Sequence, residues 1–441
     1  SLVGSEMCIR DRYYPEMFYI NKLIYNKVNQ KFFYGWTIVG IGSLGIFTSG
    51  AGQSHTFSPF IPVISKDLQI SSTSITTAYM IATLFAAFLL PQIGKLVDRY
   101  GPRIILIYTT IFLGIGCLAF GAASNFLMLA VAFGFLRFFG QGTLMLGSAN
   151  IITQWFDKKR GIALGLMGLG FAFSMGLHPL ISDFLITNYG WRNAWVIIGL
   201  STWILMLPPL IFLAIDRPED VNEKPDGIKQ KVINKNTKIF GLNLNEALKE
   251  KSFYILSFSF FSISSLVTAL HFFQVTILNQ YFSLPSREAA ALFIPTMITM
   301  IIFIPLAGKL LDRFKTHNVI GTSLLVTTAS LIFITFSSNI TFAIIYSVIF
   351  GINNAFNLAL FGYIWPRYFG RLHVGSIQGT GQMVLVVGAS IGAMPFALAM
   401  DLGYDLLFTI RLSALYPFLS AFLCFFFLRE SQKLTDMRNQ K

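Results

Sequence analysis

Long blocks of hydrophobic residues recur along the chain, separated by shorter polar stretches. A helix needs about 20 consecutive apolar residues to cross a bilayer, and block after block reaches that length. The blocks are continuous rather than alternating, which predicts helices and not strands. The pattern therefore predicts an all-α membrane protein with twelve transmembrane helices, at approximately 33–58, 75–96, 104–123, 126–154, 161–186, 192–215, 252–278, 289–311, 318–336, 340–365, 374–400 and 404–428.

Composition narrows the class of protein further. Of the 441 residues, 54% are hydrophobic and 12% are charged, which is about half the charge of a soluble domain. The sequence shows no disulfide framework, no metal-ligand spacing, no nucleophile with a spaced base and no phosphate-binding loop. We therefore expect no enzyme activity, no metal and no other cofactor.

The longest polar stretch, residues 216–251, is rich in Lys, Asn, Asp and Glu and divides the blocks into six and six. It predicts a cytoplasmic linker between two bundles. The predicted domains are a cytoplasmic tail at 1–32 (of which 1–12 resembles translated vector sequence and is excluded), an N-terminal six-helix bundle at 33–215, the linker at 216–251, a C-terminal six-helix bundle at 252–428 and a cytoplasmic tail at 429–441.

Positive charge indicates the orientation of the helices. The formal net charge is +13, and with the N-terminus inside, all but five of the 33 lysines and arginines fall in inside segments. Because cytoplasmic loops carry the excess of Lys and Arg in such proteins, both termini are predicted to be cytoplasmic, in a bacterial inner membrane. The charge then contacts anionic lipid, and we expect no nucleic-acid partner.

The chain also repeats itself. The segment GKLVDRY at 94–100 follows the second block, and GKLLDRF at 308–314 follows the eighth. A second pair, WFDK at 155–158 and YFGR at 368–371, recurs at nearly the same offset. Two matches at one offset predict a duplicated unit, and hence two pseudo-symmetric six-helix bundles in parallel orientation.

In these residues the chain resembles the major facilitator superfamily, over about 31–428. The resemblance rests on GKLVDRYGPR at 94–103 and RFFGQG at 137–142, and within the superfamily it is closest to the monocarboxylate transporter and oxalate/formate antiporter-like group. It implies rocking of two bundles about a central site that binds a small organic anion. The basic residue expected in helix eight or eleven is absent. Helix eight has only Lys309 at its cytoplasmic end, and helix eleven has no charge between Val374 and Met400.

The turn after the second helix is the predicted gate. A carboxylate beside two arginines near helix ends can form a charge network, and a glycine lets a neighbouring helix approach. The resemblance implies that this network stabilises the outward-open state; a plain turn anchored by positive charge is the alternative. The gate residues in the two copies are Gly94, Asp98, Arg99, Arg103, Gly308, Asp312 and Arg313.

Polar residues inside the apolar blocks are the candidates for substrate and proton binding. Arg137 lies near mid-membrane, where a charge costs about 2.5–3.5 kcal/mol and must face a cavity or a partner. Histidine titrates most readily near neutral pH, and two histidines occupy nearly equivalent positions of the repeat. The candidates are Arg137, His55, His271, Gln274, Asn353, Asn354 and Asn357, with His178 as a further polar group and Asp183 as a possible proton site.

The predicted function is secondary active transport of a small organic anion, by proton symport or exchange. The expected partners are a small-molecule substrate, protons and membrane lipid, and the protein is expected to be a monomer. A proton-coupled exporter of amphiphilic compounds is the alternative, because helix eight lacks a base and aromatic residues are abundant. A transporter-like sensor is a third reading.

Overall fold

The computed structural model describes residues 15–156, 159–227, 241–370 and 374–430; the side chains of Asp98 and Asp312 are outside that description. Within it, regular secondary structure is helical apart from one isolated bridge between Gly241 and Gly370. The predicted all-α fold is confirmed.

The N-terminal half carries the first six spans. Its helices are Pro15–Asn29, which precedes the spans; Gly35–Thr48, Ser54–Phe57 and Phe60–Leu68 in the first span; Ser72–Tyr100, the second; Pro102–Gly121, the third; Phe126–Trp155, the fourth; and Arg160–Phe212, which holds the fifth and sixth. The last of these is continuous in hydrogen bonding but turns at Gly190, whose φ of 76° favours glycine.

The C-terminal half repeats this arrangement after the short helix Leu244–Ala247. Its spans are Lys251–Phe282, the seventh; Phe293–Arg313, the eighth, preceded by Ser286–Ala291; Thr316–Ile334, the ninth; Ile340–Phe369, the tenth; Val374–Ile391 with Met394–Asp401, the eleventh; and Leu406–Ser413 with Leu415–Phe427, the twelfth.

Ten helices in the described part of the chain are long and apolar enough to cross a membrane. One of the ten contains two predicted spans, and the first predicted span is absent from the ten because it is broken into short pieces. The sequence pattern predicted a single helix at 33–58. The break falls where Gly50 and Gly52 weaken the helix and Pro59 and Pro62 remove backbone donors.

The internal repeat extends to the helix caps. Asn125 precedes the fourth span, and its side chain accepts a hydrogen bond from the Met128 backbone at 3.0 Å. Asn339 precedes the tenth span and accepts one from the Phe342 backbone at 3.1 Å. An asparagine in this position satisfies one of the free N–H groups at a helix start. Equivalent positions of the two halves therefore begin equivalent helices in the same way.

We call the end of the bundle that carries residues 216–227 and 241–251 the linker face and the opposite end the far face. The halves make hydrogen bonds to each other toward the far face. The Thr73 backbone donates to the Asp401 carboxylate at 2.6 Å, and the Val275 backbone donates to Ser58 Oγ at 3.0 Å. The fifth span also packs on the eighth, and the second on the eleventh. The candidate site lies along this interface.

Candidate functional site

Arg137 lies in an irregular part of the fourth span. Residues Leu136–Leu144 form a π-helix between two α-helical segments, a rare conformation that is often found at functional sites. The widened turn carries Arg137 into the N-terminal bundle, where only 2% of the residue is exposed. This position agrees with the prediction that Arg137 points into the protein and away from the lipid.

The guanidinium of Arg137 is held by groups of two other spans. Its Nε donates to Thr83 Oγ1 of the second span at 2.9 Å, and its Nη1 donates to the Gly52 carbonyl of the first span at 2.7 Å. The group also lies over the Tyr79 ring, 4.6 Å from the centroid. Its Nη2 and the Tyr79 hydroxyl are buried without a hydrogen bond. Two of its five N–H groups, on Nε and Nη1, therefore donate to the protein itself.

The broken first span explains why a carbonyl is available for Arg137. Gly52 ends a 3₁₀ turn, after which Gln53 is extended, so that the regular hydrogen-bond pattern stops there. A Cβ at Gly52 would lie 2.1 Å from the Leu136 carbonyl oxygen, and only glycine permits this approach. Glycines inside an apolar block signal such a contact, but the sequence does not say which helix makes it.

Three histidines meet where the first, fifth and seventh spans converge. The ring centroids of His55 and His271 are 5.9 Å apart, across the two halves. The centroid of His178 is 6.3 Å from that of His55. Ser174 Oγ lies 3.2 Å from His55 Nε2 and 3.2 Å from His178 Nδ1. The structure thus brings the two candidate histidines together and adds His178 and Ser174, which sequence reasoning did not place in a site.

Aromatic side chains surround the three histidines. His55 packs against the edge of Phe171, His271 lies 4.9 Å from the Phe350 ring, and His178 lies 4.8 Å from the Phe47 ring. His55 is fully buried and His271 is 5% exposed. We call His55, His178, His271 and Ser174 the histidine cluster.

The predicted amide candidates are not brought to Arg137. Asn353 Oδ1 accepts from Thr327 Oγ1 of the ninth span at 2.7 Å and from Asn357 Nδ2 at 3.1 Å. Asn354 donates to the Phe350 carbonyl of its own helix at 2.8 Å. Two of the three amides thus face the ninth span in this conformation.

Gln274 connects the seventh and tenth spans near the histidine cluster. Its Oε1 accepts a hydrogen bond from the Tyr346 hydroxyl at 2.9 Å, and the residue is fully buried. Asp183 lies apart from it, on the fifth span, in a far-face cavity of about 690 Å³ that Asn188 and Arg287 also line.

The gate residues divide into two kinds. Arg103 donates from Nε to the Leu210 carbonyl at 3.1 Å and from Nη2 to the Ile211 carbonyl at 2.6 Å, so that it caps the sixth span. Its backbone N–H donates to the Asp216 carboxylate at 2.7 Å.

The other described gate residues lie in more open surroundings than Arg103. Arg99 and Arg313 are exposed and each lies over the aromatic ring that follows it. A Cβ at Gly94 or Gly308 would meet no atom within 4 Å. The side chains of Asp98 and Asp312 lie outside the described residues, and their gating role remains a prediction.

Comparison with known proteins identifies the family. The sequence pattern of the Major Facilitator Superfamily matches residues 42–393 and 263–437. The chain belongs to the Major Facilitator Superfamily. As a member it is a multi-pass membrane protein of a superfamily of transporters, and the superfamily resemblance seen in the sequence is confirmed. The finer likeness to monocarboxylate transporters stays a prediction.

Curated relatives match mostly over part of their length. The multidrug resistance protein MdtG of Proteus mirabilis (strain HI4320) is 32% identical over 175 residues, which are 38% of this chain and 43% of the relative. An uncharacterized 38 kDa protein in the 23S RNA operon of Thermoproteus tenax is 22% identical over 358 residues, 79% of this chain and 84% of the relative. The chain thus spans less than half the length of the first of these relatives.

Solved transporter structures share the fold. A bacterial homolog of the human lysosomal transporter Spinster, in an inward-facing and occupied conformation, aligns with a TM-score of 0.66 and 16% identity, covering 90% of this chain and 97% of that one. Its inward-facing, unoccupied structure aligns with a TM-score of 0.63 over 91% and 98% of the two chains. At this identity the likeness concerns the fold of the superfamily alone.

Proposed function

We propose that this Major Facilitator Superfamily transporter is a proton-driven exporter of small amphiphilic compounds. The observation that carries the proposal is that the guanidinium of Arg137 donates to the Gly52 carbonyl and the Thr83 hydroxyl and lies over the Tyr79 ring. An arginine that binds a carboxylate with both prongs presents two neighbouring N–H groups to the substrate, whereas here Nε and Nη1 already donate to the protein. The aromatic surroundings of the interface suit apolar ring systems instead.

Relatives support the export reading. Several curated relatives, including those of Proteus mirabilis and Salmonella typhi, are named multidrug resistance protein MdtG. The eighth span has no basic residue before Lys309. This agrees with a substrate that has no carboxylate group for such a residue to bind.

The positions of the contacts support transport by alternating access. The halves are joined toward the far face by Asp401 and Ser58, and the surroundings of Gly94 and Gly308 near the linker face are open. With the linker face in the cytoplasm, these contacts support an inward-facing conformation, which is also the state of the two aligned Spinster homolog structures. Closing the linker face would then bring neighbouring helices against the two glycines of the gate.

The gate itself can be tested separately from the site. Asp98→Asn should lower turnover strongly while substrate binding persists, because the change alters the balance between two conformations rather than the site. Binding is measured by the thermal shift that ethidium produces on purified protein, and turnover by efflux. Unchanged turnover would reduce the turn to a membrane anchor. Arg99→Gln, on the same turn, shows how much of any effect comes from loss of charge alone.

Transport of a small organic anion by proton symport is the second candidate. It is favoured by one observation, the buried Nη2 of Arg137 that makes no hydrogen bond. One charged donor in an apolar site can anchor one carboxylate oxygen.

Proteoliposomes with an imposed pH gradient distinguish the two candidates. We expect gradient-driven movement of ethidium, a fluorescent amphiphilic cation, and none of radiolabelled lactate or oxalate. Uptake of lactate or oxalate that depends on Arg137 would establish the anion reading. Movement of ethidium that ignores the pH gradient would contradict proton coupling. Protein-free liposomes correct for leakage.

A further inference from the structure

Three of the five histidines in the chain form a cluster at the interface of the two halves. His55 and His178 come from the N-terminal half, and His271 comes from the C-terminal half. The cluster is therefore complete only while the halves are joined toward the far face. Movement of one half relative to the other would separate His271 from its two neighbours.

Hydrogen bonds define the protonation states of part of the cluster. His178 Nδ1 lies 3.1 Å from the Ser174 carbonyl oxygen, which can only accept, so that Nδ1 carries a hydrogen. The Ser174 hydroxyl, 3.2 Å from the same nitrogen, is then free to donate to His55 Nε2. His55 Nδ1 and His271 Nε2 are buried without a hydrogen-bond partner. Because His55 Nε2 accepts in this arrangement, the hydrogen of the neutral His55 ring is on Nδ1, so that this short relay ends in one N–H without an acceptor and in the unpaired Nε2 of His271.

Charges around the cluster disfavour a proton in this conformation. His178 and His271 lie against His55, and Arg137 donates to the Gly52 carbonyl three residues before it; none of the three is an acid. The eighth span adds no charge before Lys309, and the tenth adds the Tyr346 hydroxyl, which donates to Gln274. Asp183 on the fifth span lies in the separate cavity with Arg287. A proton on the cluster would therefore add a second buried cation without a counter-ion.

A metal ion does not explain the cluster. The described residues contain no group of three or more His, Cys, Asp or Glu side chains placed to hold one. A proton needs only one lone pair and can pass between imidazoles, and histidine changes charge near neutral pH.

We propose that the histidine cluster is the proton-binding site that couples protons to the opening of the far face. A proton that enters from the far face binds a ring nitrogen of His55 or His271. Because the cluster is buried beside Arg137, the added charge destabilises the joined halves, and separation lets water solvate it. When the halves join again, burial disfavours the added charge, so that the proton leaves toward the linker face and the neutral cluster is restored. This inference rests on the proposed proton-driven transport and adds its coupling site.

Spin-label distances across the far face test the inference. Labels are placed at Lys66→Cys and Gln280→Cys, exposed positions near the far-face ends of the first and seventh spans, in a protein with Cys8→Ser, Cys117→Ala and Cys424→Ser. Lowering the pH from about 8 to about 5, the range in which histidine titrates, should move most of the population to a longer distance. The increase should be lost in both His271→Gln and His55→Gln, which keep a polar side chain but cannot be protonated.

His317→Gln is the matched control. His317 is half-buried near the start of the ninth span, away from the cluster, and its removal should leave the pH response intact. A histidine variant is compared only if its distance at pH 8 equals that of the parent, which excludes misfolding. Distances in the parent that ignore pH would overturn the inference, and so would a response that persists in both His271→Gln and His55→Gln.

Transport measured on the same proteins separates this inference from the proposed function. Proton-driven ethidium transport that survives in both histidine variants would leave the function standing and remove the cluster as its coupling site. A pH response that depends on the histidines, without ethidium transport in the parent, would keep the proton site and contradict the exporter.

Discussion

At the scale of single residues, Arg137 is held in a membrane protein without a carboxylate partner. A carbonyl, a hydroxyl and the face of an aromatic ring receive its guanidinium, from three positions on two other spans. Each of these interactions is individually modest. The planar fork of arginine can make all of them at once, whereas the ammonium of lysine cannot.

Arg137→Lys should therefore lower both stability and transport although it keeps the charge. Loss of the contact to Gly52 or Thr83 leaves a buried polar group without a partner, which costs about 1–3 kcal/mol. Thermal unfolding in detergent and ethidium efflux measure the two effects.

Arg411→Lys is the matched control for that substitution. Arg411 also donates from Nε to a threonine hydroxyl, that of Thr335, at 3.0 Å and also lies over an aromatic ring, that of Phe336. Arg411 is exposed, so that its replacement should change stability by less than about 0.5 kcal/mol. If Arg137→Lys and Arg411→Lys lowered stability and transport equally, the burial of Arg137 would not explain its effect.

At the scale of helices, Arg103 fastens the end of the sixth span to the start of the third. Its guanidinium caps the last carbonyls of the sixth span, and the Asp216 carboxylate receives the N–H at the start of the third. Cations are favourable at helix C-termini and anions at N-termini. Arg103 therefore has a structural role within one half, in addition to any role in the predicted gate.

Arg103→Gln should accordingly destabilise the N-terminal half by about 1–3 kcal/mol, because hydrogen bonds from a charged group to two carbonyls are lost. Arg99 lies four residues earlier and its side chain is exposed. Arg99→Gln should therefore change the free energy of unfolding by less than about 0.5 kcal/mol. Thermal unfolding of the two purified variants makes the comparison. A larger loss in Arg99→Gln than in Arg103→Gln would contradict the capping role.

At the scale of the whole molecule, the proposed alternating access requires the two halves to separate toward the far face. The Thr73 backbone and the Asp401 carboxylate are in contact there. A disulfide between Thr73→Cys and Asp401→Cys should abolish ethidium transport, and a reductant should restore it. The two single-cysteine proteins, treated with the same oxidant, should keep transport. Transport through the fully cross-linked protein would contradict alternating access at this interface.

The orientation in the membrane is also a property of the whole molecule. Lys249 near the linker face and Gln280 near the far face are both exposed. In intact cells an impermeant maleimide should label Gln280→Cys at once and Lys249→Cys only after permeabilisation. The reverse order would invert the predicted topology and place the linker outside.

The sequence by itself determined the class of protein, the number of spans and the internal repeat, because these depend on residues that are close along the chain. The repeat also placed His55 and His271 at nearly equivalent positions. Only the tertiary structure decided what each buried polar group contacts. The partner of Arg137 at Gly52 is 85 residues away and that of His55 at Ser174 is 119 away, and neither pairing leaves a pattern in the sequence. Which helix faces meet is set by packing between distant segments, so that the histidine cluster, and the turn of Asn353 toward the ninth span, appear only in the folded molecule.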